Sequence, residues 1–304
     1  DDMVRALLFE ARLAGQLEHP HIVPVHAVGH LDDGSVFYTM KLVGDLSLRD
    51  VLKQLRDGND VARDTYTMHR LLHYYRGICM AIEYAHSRGV IHCDIKPDNV
   101  LIGPYGEVQI MDWGIARVLP REDGAPGYFG GAPEVPGTVA GTPHYMSPEQ
   151  ARGETELVDA RSDVYSLGVV LYQILTFTLP HTRTTTRDQM EALLTQPVLP
   201  PSERAPDRDI PRELETICMK ALSHDRSTRF GSPMALWNEI EAYLEGRKEQ
   251  ERLHQLASEQ TDEADAVALR FYGVRGELDE LSETVNQGET GNGYFAPIEV
   301  RQQD

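Results

Sequence analysis

The chain has 304 residues, 41% of them hydrophobic and 25% charged, with a formal net charge of −19. Those proportions are ordinary for a globular protein, while the acidity argues against nucleic acid or anionic membrane as the main partner. Three scattered cysteines (Cys79, Cys93, Cys218) give neither a disulfide framework nor a zinc pattern, and no run reaches the roughly 18 apolar residues of a membrane span, so a cytoplasmic protein with no membrane segment is expected.

Residues 1–17 carry apolar side chains at helical spacing, and His19-Pro20 stops that helix. Ile22-Val23-Pro24-Val25 predicts a strand whose proline suits an edge, and residues 36–40 predict a second. Ser47 is a candidate N-cap for a short helix over 48–55. The polar residues from there to Thr67 predict a loop, and residues 68–87 a long helix closed at Gly89. Around the turn Pro104-Tyr105-Gly106-Glu107, two β-branched and aliphatic runs predict a hairpin.

Residues 112–149 are rich in Gly, Pro and small side chains, too long a stretch for an idle connector. Residues 162–176 are apolar almost all round, as in a buried helix. Asp163 at its start suits the helix dipole. Helices follow around 187–194, 212–223 and 233–244, with a Pro-rich link at 197–206. After Gly246 the chain becomes charged with sparse apolar positions such as Leu253, Leu256, Val267 and Leu278. This predicts an extended helix or helical pair, serving as a linker or as a surface for a partner or for self-association. Residues 287–304 are expected to fray.

The chemistry concentrates at the hairpin. Asp94, Asn99 and Asp112 sit at strand ends, where one hairpin can bring three oxygen-bearing side chains together. A carboxylate and an amide oxygen suit Mg²⁺, which completes its shell with water and phosphate. A second carboxylate with Lys96 two residues on suits acceptance of a hydroxyl proton beside a developing negative charge. Each acid alone would be a solvated loop residue.

The combined pattern, His92-Cys93-Asp94-Ile95-Lys96-Pro97-Asp98-Asn99 followed by Asp112-Trp113-Gly114, resembles the catalytic and metal-binding loops of protein kinases. The similarity covers roughly residues 1–245 and implies an α+β kinase-like fold. Its parts would be a partial N-lobe and hinge at 1–44 (one helix and two or three strands), a mainly helical C-lobe at 45–245, and a charged helical extension at 246–304. It further implies ATP and Mg²⁺ as cofactors and Ser/Thr hydroxyls of proteins as substrates. Asp94, Lys96 and Asn99 take the catalytic roles, with Asn99 and Asp112 as metal ligands. Glu10 becomes the helix glutamate that pairs with an ATP-contacting lysine, Met40 the gatekeeper, and Leu42-Val43 with Leu101 the adenine contacts. His92, Trp113, Gly114, Asp163, Glu149 and Arg229 fall to structural roles, the last two as an ion pair. Thr142 faces the catalytic Asp and Lys, and Thr138 or Thr142 is a candidate autophosphorylation site.

The sequence departs from the family pattern in four places. No Gly-rich loop and no Ala-x-Lys lysine precede the first helix, so a fragment of a longer kinase is expected; the alternative is an impaired pseudokinase acting as a scaffold. Cys93 stands where an Arg usually reads an activation-segment phosphate, and Trp113 stands for Phe, as in bacterial kinases of the eukaryotic-like type. Ser147 replaces Ala in the Ala-Pro-Glu motif.

Overall fold

The computed structural model describes residues 2–44, 46–119 and 139–289. The Gly-rich runs at 124–133, Thr138 and most of the tail expected to fray lie outside them. The chain divides into two compact units, Asp1–Tyr243 and Leu244–Asp304.

The first unit opens with α1 (Asp2–Gln16), which buries Ala11, Leu13 and Ala14. Next comes an antiparallel hairpin of β1 (Val25–His30) and β2 (Val36–Met40), in register from His30↔Val36 to Ala27↔Thr39 and shifted by a bulge before Val25↔Met40. The strand expected at 22–25 therefore begins where it was expected to end. Pro24 has no N–H to give a ladder, and its carbonyl instead accepts from Lys41 N at 3.0 Å. Ile22 makes a single parallel bridge to Ile110.

After β3 (Leu46–Ser47) comes α2 (Leu48–Arg56), started by a capping box between Ser47 and Asp50. The loop expected up to Thr67 contains α3 (Asp60–Thr65), capped by Asn59, whose side chain accepts from Ala62 N at 3.0 Å. Four of its six residues are polar and only Ala62 is buried, so no periodic pattern announced it. Next, α4 (Met68–Ser87) is capped by Thr67 and ended by Gly89 at φ 75°.

β4 (Val90–Ile91), β5 (Val100–Ile102), β6 (Val108–Ile110) and β7 (Arg117–Val118) follow. They form the sheets β3-β5-β6 and β4-β7, all antiparallel. The helices α5 (Pro148–Ala151), α6 (Ala160–Thr176), α7 (Thr186–Thr195), α8 (Pro201–Arg204), α9 (Arg212–Ala221) and α10 (Pro233–Glu289) complete the order. α6 starts two residues before its apolar run because Asp159 caps it. The Pro-rich link folds into α8, where Pro201 occupies the first turn without losing a bond.

The core lies around α6. Val164, Leu167, Val170, Leu171, Ile174 and Leu175 are fully buried, each contributing about 1.5–3 kcal/mol of transfer free energy. A Cβ on Gly168 would lie 2.9 Å from Ala221 Cβ, so only glycine allows α9 this close. Tyr75 Oη donates to Leu167 O at 3.0 Å and joins α4 to α6. The fold is α+β with helices dominant.

From Leu244 on, the described residues form one helix to Glu289 rather than a pair, and every described side chain from Glu245 to Thr284 is exposed. No described helix is long and apolar enough to cross a membrane.

Candidate active site

The loop between β4 and β5 is suspended from Asp163, in the first turn of α6. The Asp163 carboxylate accepts His92 N at 2.8 Å, Cys93 N at 2.9 Å and His86 Nε2 at 2.7 Å, in full burial. Burial pushes this carboxyl up, but the hydrogen bonds from His86 and the His92 backbone, with the two imidazoles beside it, outweigh that and hold it below the usual range. Cys93 adopts φ 67°, left-handed backbone that a non-glycine residue takes only when held. It is held on both sides, since its carbonyl accepts from Gln150 Nε2 at 2.8 Å.

Asp94 follows that strained residue and is 7% exposed. Its Oδ1 accepts Thr142 N at 2.8 Å, while its Oδ2 pairs with Lys96 Nζ. Lys96 Nζ also donates to Thr142 Oγ1 at 2.8 Å, closing a triangle of carboxylate, ammonium and hydroxyl. Gly141, at φ 124°, lets this segment approach, because a Cβ there would lie 3.1 Å from Cys93 O.

Asn99 ends the short turn Pro97–Asn99 and is buried. Its Nδ2 donates to Asp94 O at 3.0 Å, leaving Oδ1 as an open acceptor among the described residues. Its carbonyl receives Met111 N at 3.0 Å, which ties it to the strand end carrying Asp112. Asp112 sits at φ 68° with an exposed side chain, and among the described residues its Oδ1 takes only a long bond from Gly114 N at 3.4 Å. Among the described residues no three His, Cys, Asp or Glu side chains cluster as a metal cage. One amide and one carboxylate fit Mg²⁺ nonetheless, because that ion keeps waters and takes phosphate oxygens rather than an all-protein shell.

Glu10 reaches this corner from α1. A Cβ on Gly114 would lie 3.4 Å from Glu10 Oε2 and 3.3 Å from Asp112 Oδ1, so the two carboxylates flank Gly114. Tyr38 Oη donates to Glu10 Oε1 at 3.0 Å. Burial raises the Glu10 carboxyl, the Asp112 charge adds to that, and bonds from Tyr38 and the Trp113 backbone only partly offset them. Burial and Glu10 in turn push the Tyr38 phenol up to about 12. A carboxyl raised in the fold is penalised above its folded pKa and unpenalised below its unfolded one, about 4.3. Glu10→Gln should therefore raise the melting temperature at pH 7 by about 2 °C, a small gain because the site is partly screened. The gain should vanish towards pH 4; a pH-independent gain in a thermal melt would refute the account.

The remaining expected residues fall into three groups. Trp113 is buried with its ring 4.6 Å from that of His92, whose imidazole burial pushes down. Glu149 Oε1 and Oε2 meet Arg229 Nη1 and Nη2 at 2.8 and 2.9 Å, and Ser162 Oγ donates to the same carboxylate at 2.7 Å. Met40 ends β2, and Leu42 and Val43 lie on the segment leading to β3, which pairs with Leu101 of β5. Among the described residues no hydrogen bond joins these four side chains to the acidic corner, and Leu42 is 91% exposed. Tyr38, His86, Gln150 and Ser162 were not singled out from sequence. Each acts on a residue far along the chain, so no local spacing could reveal it.

A protein kinase domain model matches residues 1–239. Serine/threonine-protein kinase PknD of Chlamydia caviae is 35% identical over 256 residues, 81% of this chain and 27% of that protein. The proteins of the same name from Chlamydia muridarum and Protochlamydia amoebophila are each 36% identical, over 261 and 257 residues and 81% of this chain, which is 27% and 26% of their own lengths. The chain thus spans about a quarter of the length of the curated relatives it matches.

Proposed function

Since the chain belongs to the protein kinase family, we propose that it carries the catalytic machinery of a bacterial Ser/Thr protein kinase, which transfers the γ-phosphoryl group of ATP to protein hydroxyls in signalling. The observation that carries this reading is the triangle of Asp94, Lys96 and Thr142 beside the oxygen donors of Asn99 and Asp112. In this reading Asp94 orients the incoming hydroxyl and takes its proton on a carboxylate oxygen. Lys96 places a positive charge beside the oxygens that gain negative charge. Thr142 fixes Asp94 through its N–H, as a positioning residue.

Asn99 and Asp112 are the residues to hold Mg²⁺, which when bound neutralises phosphate charge. Glu10, with neutral donors and a carboxylate around it among the described residues, is suited to orient an ammonium towards the nucleotide phosphates. Met40, Leu42, Val43 and Leu101 are assigned to the adenine side. The corresponding division is 1–44, N-lobe part and hinge; 45–245, C-lobe; and 246–304, extension.

The test is transfer of labelled phosphate from ATP by the full gene product to casein, with Mg²⁺ titrated. Phosphoserine and phosphothreonine should appear and should depend on Mg²⁺. Calorimetry should show Mg²⁺-ATP binding that Asp112→Ala weakens at least tenfold. Binding without transfer would favour the scaffold reading, and absence of both would overturn the proposal.

A further inference from the structure

We infer that the helix beyond Leu244 pairs with the same helix of a second copy of this chain, as an antiparallel two-stranded coiled coil. Positions 253, 257, 260, 264, 267, 271, 274, 278 and 281 follow one another in alternating steps of four and three, and every one except Gln260 is apolar. This is a 3.5-residue period sustained for four heptads, about 42 Å of helix. An ideal helix facing a globular core repeats at 3.6, so a strict seven-residue repeat is the mark of a supercoiling partner. The seam is unoccupied by the chain's own described residues: Val267, Phe271, Val274, Leu278 and Leu281 are each 57–62% exposed. Gly273 and Gly276, poor helix formers, both fall on the outer face, away from the seam.

Charge selects the occupant and its direction. The flanking positions carry Glu263, Arg270 and Glu277 on one side of the seam and Arg275 on the other. In a parallel pair Arg270 would face Arg275 of the other copy, with no opposite-charge pair to offset the repulsion. In an antiparallel pair with Phe271 opposite Val274, Arg270 faces Glu277 twice by symmetry, and Arg275 faces Ala268. The same register sets small Ala264 against large Leu281 and Val267 against Leu278, complementary layers that a two-stranded seam requires. The helix therefore complements itself without any other protein.

Sedimentation of the full gene product over a concentration series tests this. The wild-type protein should dimerise. Val274→Asp, on the seam, should raise the dissociation constant more than a hundredfold, while Leu269→Asp, an apolar position off the seam that is 74% exposed, should leave it unchanged. Arg270→Glu should weaken the dimer on the order of tenfold, and adding Glu277→Arg should restore it. A monomeric wild type, equal effects of the Val274 and Leu269 changes, or tighter association of Arg270→Glu, as a parallel pair would show, would each overturn the inference.

Discussion

Asp94→Asn in the full gene product is expected to reduce phosphate transfer by a factor on the order of 10² to 10⁴, the range attributed to a positioned general base. The substitution keeps the shape of the side chain. An amide oxygen can still accept Thr142 N, which Asp94 Oδ1 accepts at 2.8 Å. The new amide nitrogen, however, would face Lys96 Nζ, which now pairs with Oδ2, so a donor meets a donor and Lys96 loses its counter-charge. The amide also cannot take a proton from the substrate. Because Asn99 and Asp112 are untouched, the change should fall on kcat, with the KM for ATP within about threefold of wild type. Initial rates at saturating and limiting ATP make the distinction. Turnover near the wild-type value would remove Asp94 from its role, and a large rise in KM alone would recast it as a nucleotide-binding group.

What the sequence made legible follows a physical division. Asp94, Asn99 and Asp112 could be grouped because a single hairpin places them, and a hairpin is specified by its own turn and flanking runs. α4 and α6 were legible because long apolar periodicity outweighs local propensity. The elements missed were short or two-sided: α3 and α8 are six and four residues long, and β1 is exposed on both faces at most positions. The supporting shell was invisible for another reason. His86 and Asp163 are 77 residues apart, Gln150 and Cys93 are 57 apart, and Tyr38 and Glu10 are 28 apart. Such pairs are made by packing, and nothing in either residue's neighbourhood names its partner. The shell nonetheless sets the site's electrostatics. Asp163 is held ionised, Cys93 is held in left-handed backbone, and Glu10 is left with neutral donors and a neighbouring carboxylate.

Arg229→Met should destabilise the first unit by about 3–5 kcal/mol, the range for stripping one partner from a buried ion pair. Arg229 is buried and its guanidinium is fully committed, to both Glu149 oxygens and to the carbonyls of Ser223 and Arg161 at 2.7 and 3.0 Å. Methionine fills much of the same space, so the loss is chiefly that of the charge left behind. Burial pushes the Glu149 carboxyl up, and at present Arg229 and Ser162 more than reverse it, holding the group below its usual range. The pair therefore contributes stability above the ordinary carboxylate pKa of about 4.3 and loses it as pH falls through the lowered folded value. In the variant the sign inverts. Burial without the cation raises the Glu149 carboxyl, which then takes a proton more readily than the unfolded chain does. The deficit should be largest at pH 7–8 and shrink as the pH is lowered towards 5. Adding Glu149→Gln should recover part of the loss at pH 7, because an uncharged amide can keep the Ser162 bond without a buried charge. Denaturant unfolding at two pH values measures all of this. A deficit below about 1 kcal/mol, or one unchanged between pH 8 and pH 5, would mean that water reaches Glu149 once the arginine is gone and that the pair fastens α5 to the segment carrying Arg229 less tightly than its geometry implies.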